Sequence, residues 1–410
     1  LPEEWEVVKL GDIAKAVKGR KPQQLIKNVG EDSVPYLTAE YFRTGNASGF
    51  VPNGTENSIK VNDDDIVFIW DGSNAGDVFT GLAGILASTM VKIVPENSVN
   101  KRFLYYFFKT KFTLFNTKTT GSTIPHVNKN LFNNLLIPLP PLSEQRKIAA
   151  VLSAVQEAKE KTEAVISATK GLKKTMMSYL FTYGPVPLSE AENVPLKETE
   201  IGMMPEEWEV VKLGEVFNVQ QGKQLSGKEV RDGKIKKPFL RTSNLSWGYI
   251  NISNVDEMYF TPEEFEKLKL KKGDILVCEG GDIGRTALYR GELKECAYQN
   301  HLHRLRPKKD NIDVEFFVFW MDHAVNQRQL YTYTANRTTI PNLSSSRLKN
   351  FIFLLPPLPT QQKIASILSA IDQKIEAEGS KKKALEDLFK TLLHNLMTAK
   401  IRVNNLEVEI

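Results

Sequence analysis

Apolar and small residues recur at alternating intervals of three and four over positions 143–181. The stripe comprises Ile148, Val151, Val155, Ala158, Thr162, Val165, Thr169, Leu172, Met176 and Tyr179. This spacing lines one face of an α-helix, and the stretch contains no proline and only one glycine. It predicts a helix of about 39 residues, roughly 58 Å long at 1.5 Å per residue.

A second stretch of the same kind covers positions 359–400, with a polar centre around Glu378 and Lys382. Its stripe comprises Ile364, Leu368, Ile371, Ile375, Leu385, Phe389, Leu392 and Leu396. A helix of this length with one apolar stripe is unstable by itself, so the two helices are predicted to pair as a coiled coil.

The chain order bears on how the helices are oriented, because a whole globular region lies between them. Antiparallel helices would place the two globular regions at opposite ends, related by an approximate two-fold axis. Parallel helices would place both at the same end. The antiparallel arrangement is favoured, since duplicated units tend to associate with two-fold symmetry.

The regions before the two helices have a mixed pattern. Residues 66–70 and 275–278 follow turn-forming residues and are predicted to be strands. The aromatic runs at 102–109 and 315–321 are too continuous for an exposed strand and are predicted to be buried helices. The predicted fold class is therefore α+β: two similar mixed α/β domains separated by two long antiparallel coiled-coil helices, with pseudo-two-fold symmetry.

The chain contains an internal repeat. Residues 2–11 and 205–214 are both PEEWEVVKLG, and PPLSEQRKIAAVLSAV at 140–155 corresponds to PPLPTQQKIASILSAI at 356–371. Between these similar ends the two copies diverge. Similar ends with different middles are typical of two recognition surfaces built on one shared scaffold.

The repeat and the helical stretches predict the domain boundaries. These are a first globular domain at 1–142, a central helix at 143–181, a linker at 182–204, a second globular domain at 205–358, a C-terminal helix at 359–400 and a tail at 401–410. A chain of 410 residues exceeds what one core usually serves, which agrees with two domains.

Composition and charge narrow the function classes. The chain has 41% hydrophobic residues and no apolar run long enough to cross a bilayer, so we expect a cytoplasmic protein with no membrane partner. Its two cysteines, Cys278 and Cys296, form no metal-binding or disulfide pattern. A net charge of +5 is small for a protein that binds nucleic acid by bulk charge, so phosphate contacts would need local patches or a partner.

The order of these motifs resembles one known family. PEEWEVVKLGD opens a unit, PPLSEQRKIA closes it before a long helix, and ETEIGMMPEEWEVVKLGEV opens the next unit. Over essentially its whole length the chain is similar to the specificity (S) subunit of type I restriction-modification enzymes. The resemblance implies that each variable middle is a target recognition domain for one half of an asymmetric, bipartite sequence in double-stranded DNA.

The resemblance also implies the partners. The helices would set the gap between the half-sites and dock two modification (methyltransferase) subunits, and restriction subunits would complete the complex. No cofactor is expected on this chain. S-adenosylmethionine, ATP and Mg²⁺ are expected on the partner subunits, and the chain itself is expected to be non-catalytic.

The residues show no catalytic or metal-binding pattern of their own. Both Pro-Pro steps lack the Asp or Asn and the aromatic neighbour that an amino-methyltransferase uses for a flipped base, and there is no P-loop. The glycine-rich segment 279–284 matches 71–76 and is interpreted as a tight turn. The cluster 63–65 (DDD) is interpreted as a solvated turn, and His301 and His303 have no partners at metal-ligand spacing.

Candidate DNA-binding residues are basic, amide and hydroxyl side chains in loops, because phosphates attract Lys and Arg whereas base edges need fixed donors and acceptors. In the first domain they are Lys18, Arg20, Lys21, Thr38, Arg43, Ser122, Thr123 and His126. In the second they are Lys223, Gln224, Arg241, Ser243, Asn244, Trp247, Arg285, Asn336 and Arg337.

The pair Thr38 and Arg241 is the most informative of these, since both lie three residues after a proline at equivalent places in the two copies. Different hydrogen-bonding groups at one scaffold position are what two different half-sites would require. The alternative interpretation is a non-catalytic coiled-coil scaffold whose duplicated domains bind protein, and the modest net charge favours it.

Overall fold

The computed structural model describes residues 1–121, 123–224, 233–330 and 342–403. The chain forms two compact units, one of Leu1–Ala164 with Gly379–Ile410 and the other of Val165–Glu378. Each unit thus combines a globular region with parts of both long helices. The domain boundaries drawn from the sequence remain predictions. In the described part of the chain, no helix is both long and apolar enough to cross a membrane.

The first unit is a mixed α/β domain. Its strands are Glu6–Lys9, Ala14–Lys18, Ser33–Leu37, Phe50–Pro52, Lys60–Val61, Ile66–Ile69, Val78–Phe79, Gly84–Leu86, Met90–Pro95 and Leu136–Leu139. Its shorter helices are Leu10–Ile13, Ala39–Thr44, Lys101–Thr117 and Lys129–Asn134.

The second unit repeats this plan with additions. Its strands are Leu196–Thr199, Gly202–Pro205, Glu209–Lys212, Phe217–Gln221, Ile235–Leu240, Leu245–Ser246, Tyr249–Ile250, Asp256–Phe260, Ile275–Cys278, Thr286–Leu288, Ala297–Tyr298, Leu302–Pro307 and Ile352–Leu355. Its shorter helical segments are Leu188–Asn193, Leu213–Val216, Thr242–Asn244, Pro262–Leu268, Val314–Asp322, His323–Gln327 and Ser345–Asn350.

The two ends of each repeat pair with each other. Glu6–Lys9 is antiparallel to Leu136–Leu139 in the first unit, and Glu209–Lys212 is antiparallel to Ile352–Leu355 in the second. The opening motif of each copy therefore forms a two-stranded sheet with the strand that directly precedes the closing motif.

Each unit also contains a four-stranded antiparallel sheet with the same strand order. In the first unit the order is Ala14–Lys18, Met90–Pro95, Ile66–Ile69 and Val78–Phe79; in the second it is Phe217–Gln221, Leu302–Pro307, Ile275–Cys278 and Thr286–Leu288. Because the second strand is antiparallel to both of its neighbours, the first and third strands end at the same edge of the sheet.

The predicted aromatic helices are confirmed. Lys101–Thr117 buries Phe103, Phe107 and Phe108 in the core of the first unit, and Val314–Asp322 buries six consecutive residues, 316–321, in the second. The predicted strands are also confirmed, at Ile66–Ile69 and Ile275–Cys278.

The long helices run over Leu142–Tyr183 and Leu358–Met397, within about three residues of the predicted bounds. In the first unit, Lys382 pairs with Glu163 at 2.8 Å, while Leu396, further along the C-terminal helix, packs in one core with Ile148 near the start of the central helix. The two helices are therefore antiparallel in this unit.

The second unit shows the same direction. Lys173 pairs with Asp372 at 2.7 Å, and Leu180, later in the central helix, packs with Leu368, earlier in the C-terminal helix. The predicted fold class is thus confirmed: two similar mixed α/β domains with two long antiparallel helices.

The start of the central helix is held by a polar contact inside the first unit. Glu144 is 4% exposed, and its carboxylate accepts hydrogen bonds from Trp5 Nε1 at 3.0 Å and from Arg402 Nε at 2.7 Å. Arg402 also pairs with Glu4. The contact joins the opening motif, the central helix and the segment after the C-terminal helix.

The interpretation of residues 63–65 as a solvated turn is wrong for Asp65. This side chain is 4% exposed and pairs with Lys92 and Lys101. Burial raises its pKa, but hydrogen bonds from the Asn62 backbone and the two lysines outweigh burial and hold the pKa below its usual value. The turn motif gave no sign of these cations, which come from a later strand and helix.

A buried histidine lies beside the central helix in the second unit. His323 is 1% exposed, its ring stacks on Phe181 at 4.9 Å, and its Nδ1 lies 3.1 Å from Gln327 Oε1. Burial, with the nearby Arg328 charge, lowers the pKa of His323 to about 4. The fold therefore favours the neutral imidazole.

We predict that His323 makes the second unit sensitive to acid. Its folded pKa is below the unfolded value, so the unfolded state binds a proton first as pH falls. Stability should thus decrease from about pH 6.5 down to about pH 4. Between pH 7.5 and 5 the loss should be about 2 kcal/mol. Urea unfolding of the wild type and of His323→Gln at both pH values measures the difference.

The exposed His301 supplies the control, since His301→Gln should keep the wild-type pH dependence. An unchanged pH slope in His323→Gln would contradict the assignment.

Candidate nucleic-acid interface

The first and third strands of the four-stranded sheet in the first unit end at the same edge, at Lys18 and at Ile69, on either side of the start of the second strand. The segment 71–76 follows the third strand. Residues 125–127 contact it and the strand end, with Gly72 N donating to Pro125 O at 2.8 Å and Val127 N donating to Trp70 O at 2.9 Å. Three parts of the chain that are distant in sequence therefore meet at one edge of the sheet.

Asp71 is the centre of this edge. Its Oδ2 lies 2.9 Å from Lys18 Nζ and its Oδ1 lies 2.7 Å from His126 Nδ1. The Asp71 side chain is only 12% exposed, whereas those of Lys18 and His126 are 54% and 45% exposed. Two candidate DNA-binding residues that are far apart in the sequence are thus brought together by a carboxylate that the sequence pattern assigns only to a turn.

The second unit has a carboxylate at the equivalent place. Glu279 follows the third strand, and its Oε2 accepts a hydrogen bond from Gln221, at the end of the first strand, at 3.1 Å. The same oxygen lies 3.7 Å from Nε2 of the fully buried His303. Burial lowers the pKa of His303, which keeps this imidazole neutral, and its Nε2 donates to Leu343 O. Both units therefore have an acidic residue at this position, but the partners of its side chain differ.

Sequence reasoning assigned Asp71 and Glu279 to a tight turn of the scaffold. A signal was present, because the turn begins with an acidic residue in both copies, at a strand end. Neither turn geometry nor periodicity indicates which distant side chains such an acid will contact.

A glycine follows the first strand in both units. A Cβ at Gly19 would lie inside contact distance of Ala87 O, and one at Gly222 would do the same with Gln299 O. The chain passes so close to a neighbouring backbone segment that only glycine fits. This approach fixes where the residues that follow, Arg20 and Lys223, leave the sheet.

The other described candidates of the first unit have no contact with Asp71 in the structure's hydrogen bonds and ion pairs. Arg20 donates to Asn57 Oδ1 at 3.4 Å, while Lys21 and Thr123 are exposed. Thr38 caps the helix Ala39–Thr44, accepting from Tyr41 N at 3.2 Å.

Arg43, in the last turn of that helix, pairs with Asp77 Oδ2 at 2.9 Å and lies 5.6 Å from the centre of the Phe79 ring. Since Thr38 caps a helix and Arg43 has a carboxylate partner, both have structural roles in this conformation.

Lys223 in the second unit is mostly buried and contacts other residues of the protein. Its Nζ lies 2.7 Å from Glu264 Oε2 and donates to Tyr259 O at 2.8 Å, and the side chain is 14% exposed. The hydrogen bond from Lys223 lowers the pKa of Glu264. Gln224, the next residue, is exposed.

Other candidates of the second unit gather at the short helix Thr242–Asn244. Arg241 precedes it and pairs with Asp256 at 2.7 Å, as Thr38 precedes its helix in the first unit. Arg285 donates to Thr242 O at 2.8 Å and pairs with Asp282.

Asn244 is buried, and its amide bonds to the backbone at Arg241 N, Asn251 O and Asn254 O. Ser243 is exposed, and Trp247 packs partly buried against the core. Asn244 therefore contributes to the local fold, whereas Ser243 is open to solvent.

Ser122, Asn336 and Arg337 lie outside the residues that the structure describes. A role in DNA binding stays a prediction for all seventeen candidates.

Fold and sequence together define a DNA-specificity protein of restriction-modification systems. The family described as the type I restriction modification DNA specificity domain matches residues 2–168 and 205–387, and the chain belongs to this family.

Among its relatives, the type I restriction enzyme MjaVIII specificity subunit of Methanocaldococcus jannaschii is 37% identical, over 99% of this chain and 95% of its own length. The type I restriction enzyme EcoKI specificity subunit of Escherichia coli is 24% identical, over 100% of this chain and 88% of its own length.

Solved structures share the fold. The crystal structure of the S subunit of a type I restriction-modification system from M. genitalium superposes with a TM-score of 0.61 at 20% identity, covering 96% of both chains. A second solved structure, which concerns complex assembly and conformational transition of the type I R-M system, superposes with a TM-score of 0.57 at 19% identity. The match covers 97% of this chain and 98% of that one.

Specificity subunits of this family are non-catalytic, and they act on DNA with methyltransferase and restriction subunits.

We predict that the close approach at Gly222 cannot accept a side chain. Gly222→Ala should lower the free energy of unfolding of the second unit by roughly 1–3 kcal/mol, because the added methyl group meets backbone. Gly280→Ala is the matched control, since a Cβ there has nothing within 4 Å. Urea unfolding of both variants tests this, and equal stabilities would contradict it.

Proposed function

We propose that each unit recognises one half of an asymmetric, bipartite sequence in double-stranded DNA. The supporting observation is the equivalent sheet edge of the two units. An acid occupies the same position in both, but Asp71 has Lys18 and His126 as partners, whereas Glu279 has Gln221. One scaffold with different donors at the same place suits two different half-sites.

The two long helices separate the half-sites and provide the docking surface for two modification subunits, and restriction subunits complete the complex. Their antiparallel pairing within each unit supports a spacer of fixed length. S-adenosylmethionine belongs to the modification subunits, ATP and Mg²⁺ belong to the restriction subunits, and no cofactor binds this chain. The complex works in the cytoplasm.

The chain by itself carries little net positive charge for binding DNA. A net charge of +5 over 410 residues is small, and several candidate cations are paired with acids. Partner subunits would then supply much of the salt-dependent phosphate binding, and this chain would supply the sequence preference.

The test is to reconstitute the chain with its modification subunits and map the methylated bases in exposed DNA. A chimera in which residues 12–138 are replaced by the equivalent region of the MjaVIII relative is mapped in parallel. The wild type should methylate one bipartite sequence, and the chimera should change one half-site only. Changes at both half-sites would contradict independent recognition.

The methylation map, together with DNA binding measured at several salt concentrations, distinguishes a specificity subunit from a protein-binding scaffold. A scaffold would give no sequence preference in the methylation map, and it would show no salt-dependent DNA binding with or without the modification subunits.

We predict that the helix pair sets the gap between half-sites. Seven helix-forming residues inserted after Ala168 and seven after Glu376 keep the apolar stripes in register and add about 10 Å. At 3.4 Å per base pair the unread gap should lengthen by about three base pairs. Methylation mapping measures the gap, and replacing seven exposed residues without changing the length is the control. An unchanged gap would contradict the spacer role.

A further inference from the structure

Asp71 connects two exposed donors through a nearly buried carboxylate. One oxygen pairs with Lys18 at 2.9 Å and the other with His126 at 2.7 Å. Because each oxygen has its own partner, the carboxylate fixes the position of both side chains at once. About half of each partner side chain remains open to solvent.

The backbone around Asp71 does not depend on this carboxylate. Asp71 N donates to Thr89 O at 3.0 Å, Gly72 N donates to Pro125 O, and Val127 N donates to Trp70 O. His126 and Thr120 also exchange two backbone hydrogen bonds. These main-chain contacts hold residues 125–127 against the sheet edge, so the side chain of Asp71 is left to orient Lys18 and His126.

The second unit shows that the acid at this position can fix a donor without forming a charge pair on the first strand. There Glu279 accepts from the neutral Gln221, which also donates to Asn300 O at 3.0 Å. A carboxylate is present at this position whether or not its partner on the first strand is a cation. The shared feature is the fixing of a donor at the strand end.

The electrostatic effect of Asp71 on DNA binding follows from general principles. A free lysine binds any phosphate and carries no sequence information. A lysine held against a carboxylate has less net charge to offer to phosphates and a defined direction for its remaining donors. Pairing therefore lowers sequence-independent affinity while it favours one arrangement of acceptors.

We propose that Asp71 is a specificity-determining positioning residue for the half-site of the first unit, acting through Lys18 and His126. This inference rests on the proposed function. The residue touches no base itself in this scheme. It decides whether Lys18 acts as a directed donor or as a general phosphate contact.

The test measures DNA affinity of the full chain in complex with its modification subunits. Three duplexes are compared: one with both mapped half-sites, one with the first half-site scrambled and one with the second scrambled. The affinity of the complex for each duplex is measured at several salt concentrations. For the wild type, scrambling either half-site should weaken binding.

In Asp71→Asn the discrimination at the first half-site should fall by about tenfold or more, the scale of one lost directed base contact. Binding to the duplex with the scrambled first half-site should become tighter. Its dependence on salt should steepen by about one phosphate contact, a slope change of about 0.9. A purely structural role would weaken binding to all duplexes without steepening the salt dependence.

Three further variants complete the design. Asp71→Glu places the acid of the second unit at this position and should restore discrimination. Asp12→Asn removes an exposed acid from the same unit, changes the net charge equally and should behave as the wild type. In Lys18→Gln with Asp71→Asn, the salt dependence should return to that of the wild type.

Discrimination at the second half-site is the internal folding control. If it is retained and Asp71→Asn discriminates at the first half-site like the wild type, the proposal is overturned. Loss at both half-sites would assign Asp71 a structural role and also overturn it. If the wild type itself discriminates at neither half-site, the proposed function fails instead.

Discussion

The closure of each repeat upon itself is the constraint on which the rest of the structure depends. The opening strand Glu6–Lys9 pairs with Leu136–Leu139, and Glu209–Lys212 pairs with Ile352–Leu355. Every middle segment therefore starts and ends at the same place, next to the start of a long helix. Since the ends are fixed, loops between them can gain residues or change chemistry without moving the scaffold. The longer second copy is accommodated in this way.

The same closure organises the polar groups at the sheet edge. Backbone hydrogen bonds and a glycine without room for a side chain define the path of the chain. Side chains are then free to differ, and they do so around one retained acid, Asp71 or Glu279. A specificity subunit needs this division of roles, because its scaffold must fit common partners while its reading surfaces must differ.

The sequence predicted the elements that a local pattern defines. Both long helices, the buried aromatic helices and the strand Ile66–Ile69 follow from spacing and composition. It did not predict the contacts of single polar groups. Periodicity states which face a residue occupies but not which distant residue it meets. Lys18 and His126 thus seemed unrelated, and Asp65 seemed solvated although two cations from later elements cover it.

The contact of Glu144 with Trp5 and Arg402 has a consequence for the order of folding during synthesis. The second unit is continuous from Val165 to Glu378, so the ribosome has supplied all of it once residue 378 is made. The first unit must wait, because Glu144 gains its guanidinium partner only when residue 402 has emerged. We expect the domain whose synthesis begins first to be the last to complete its folding.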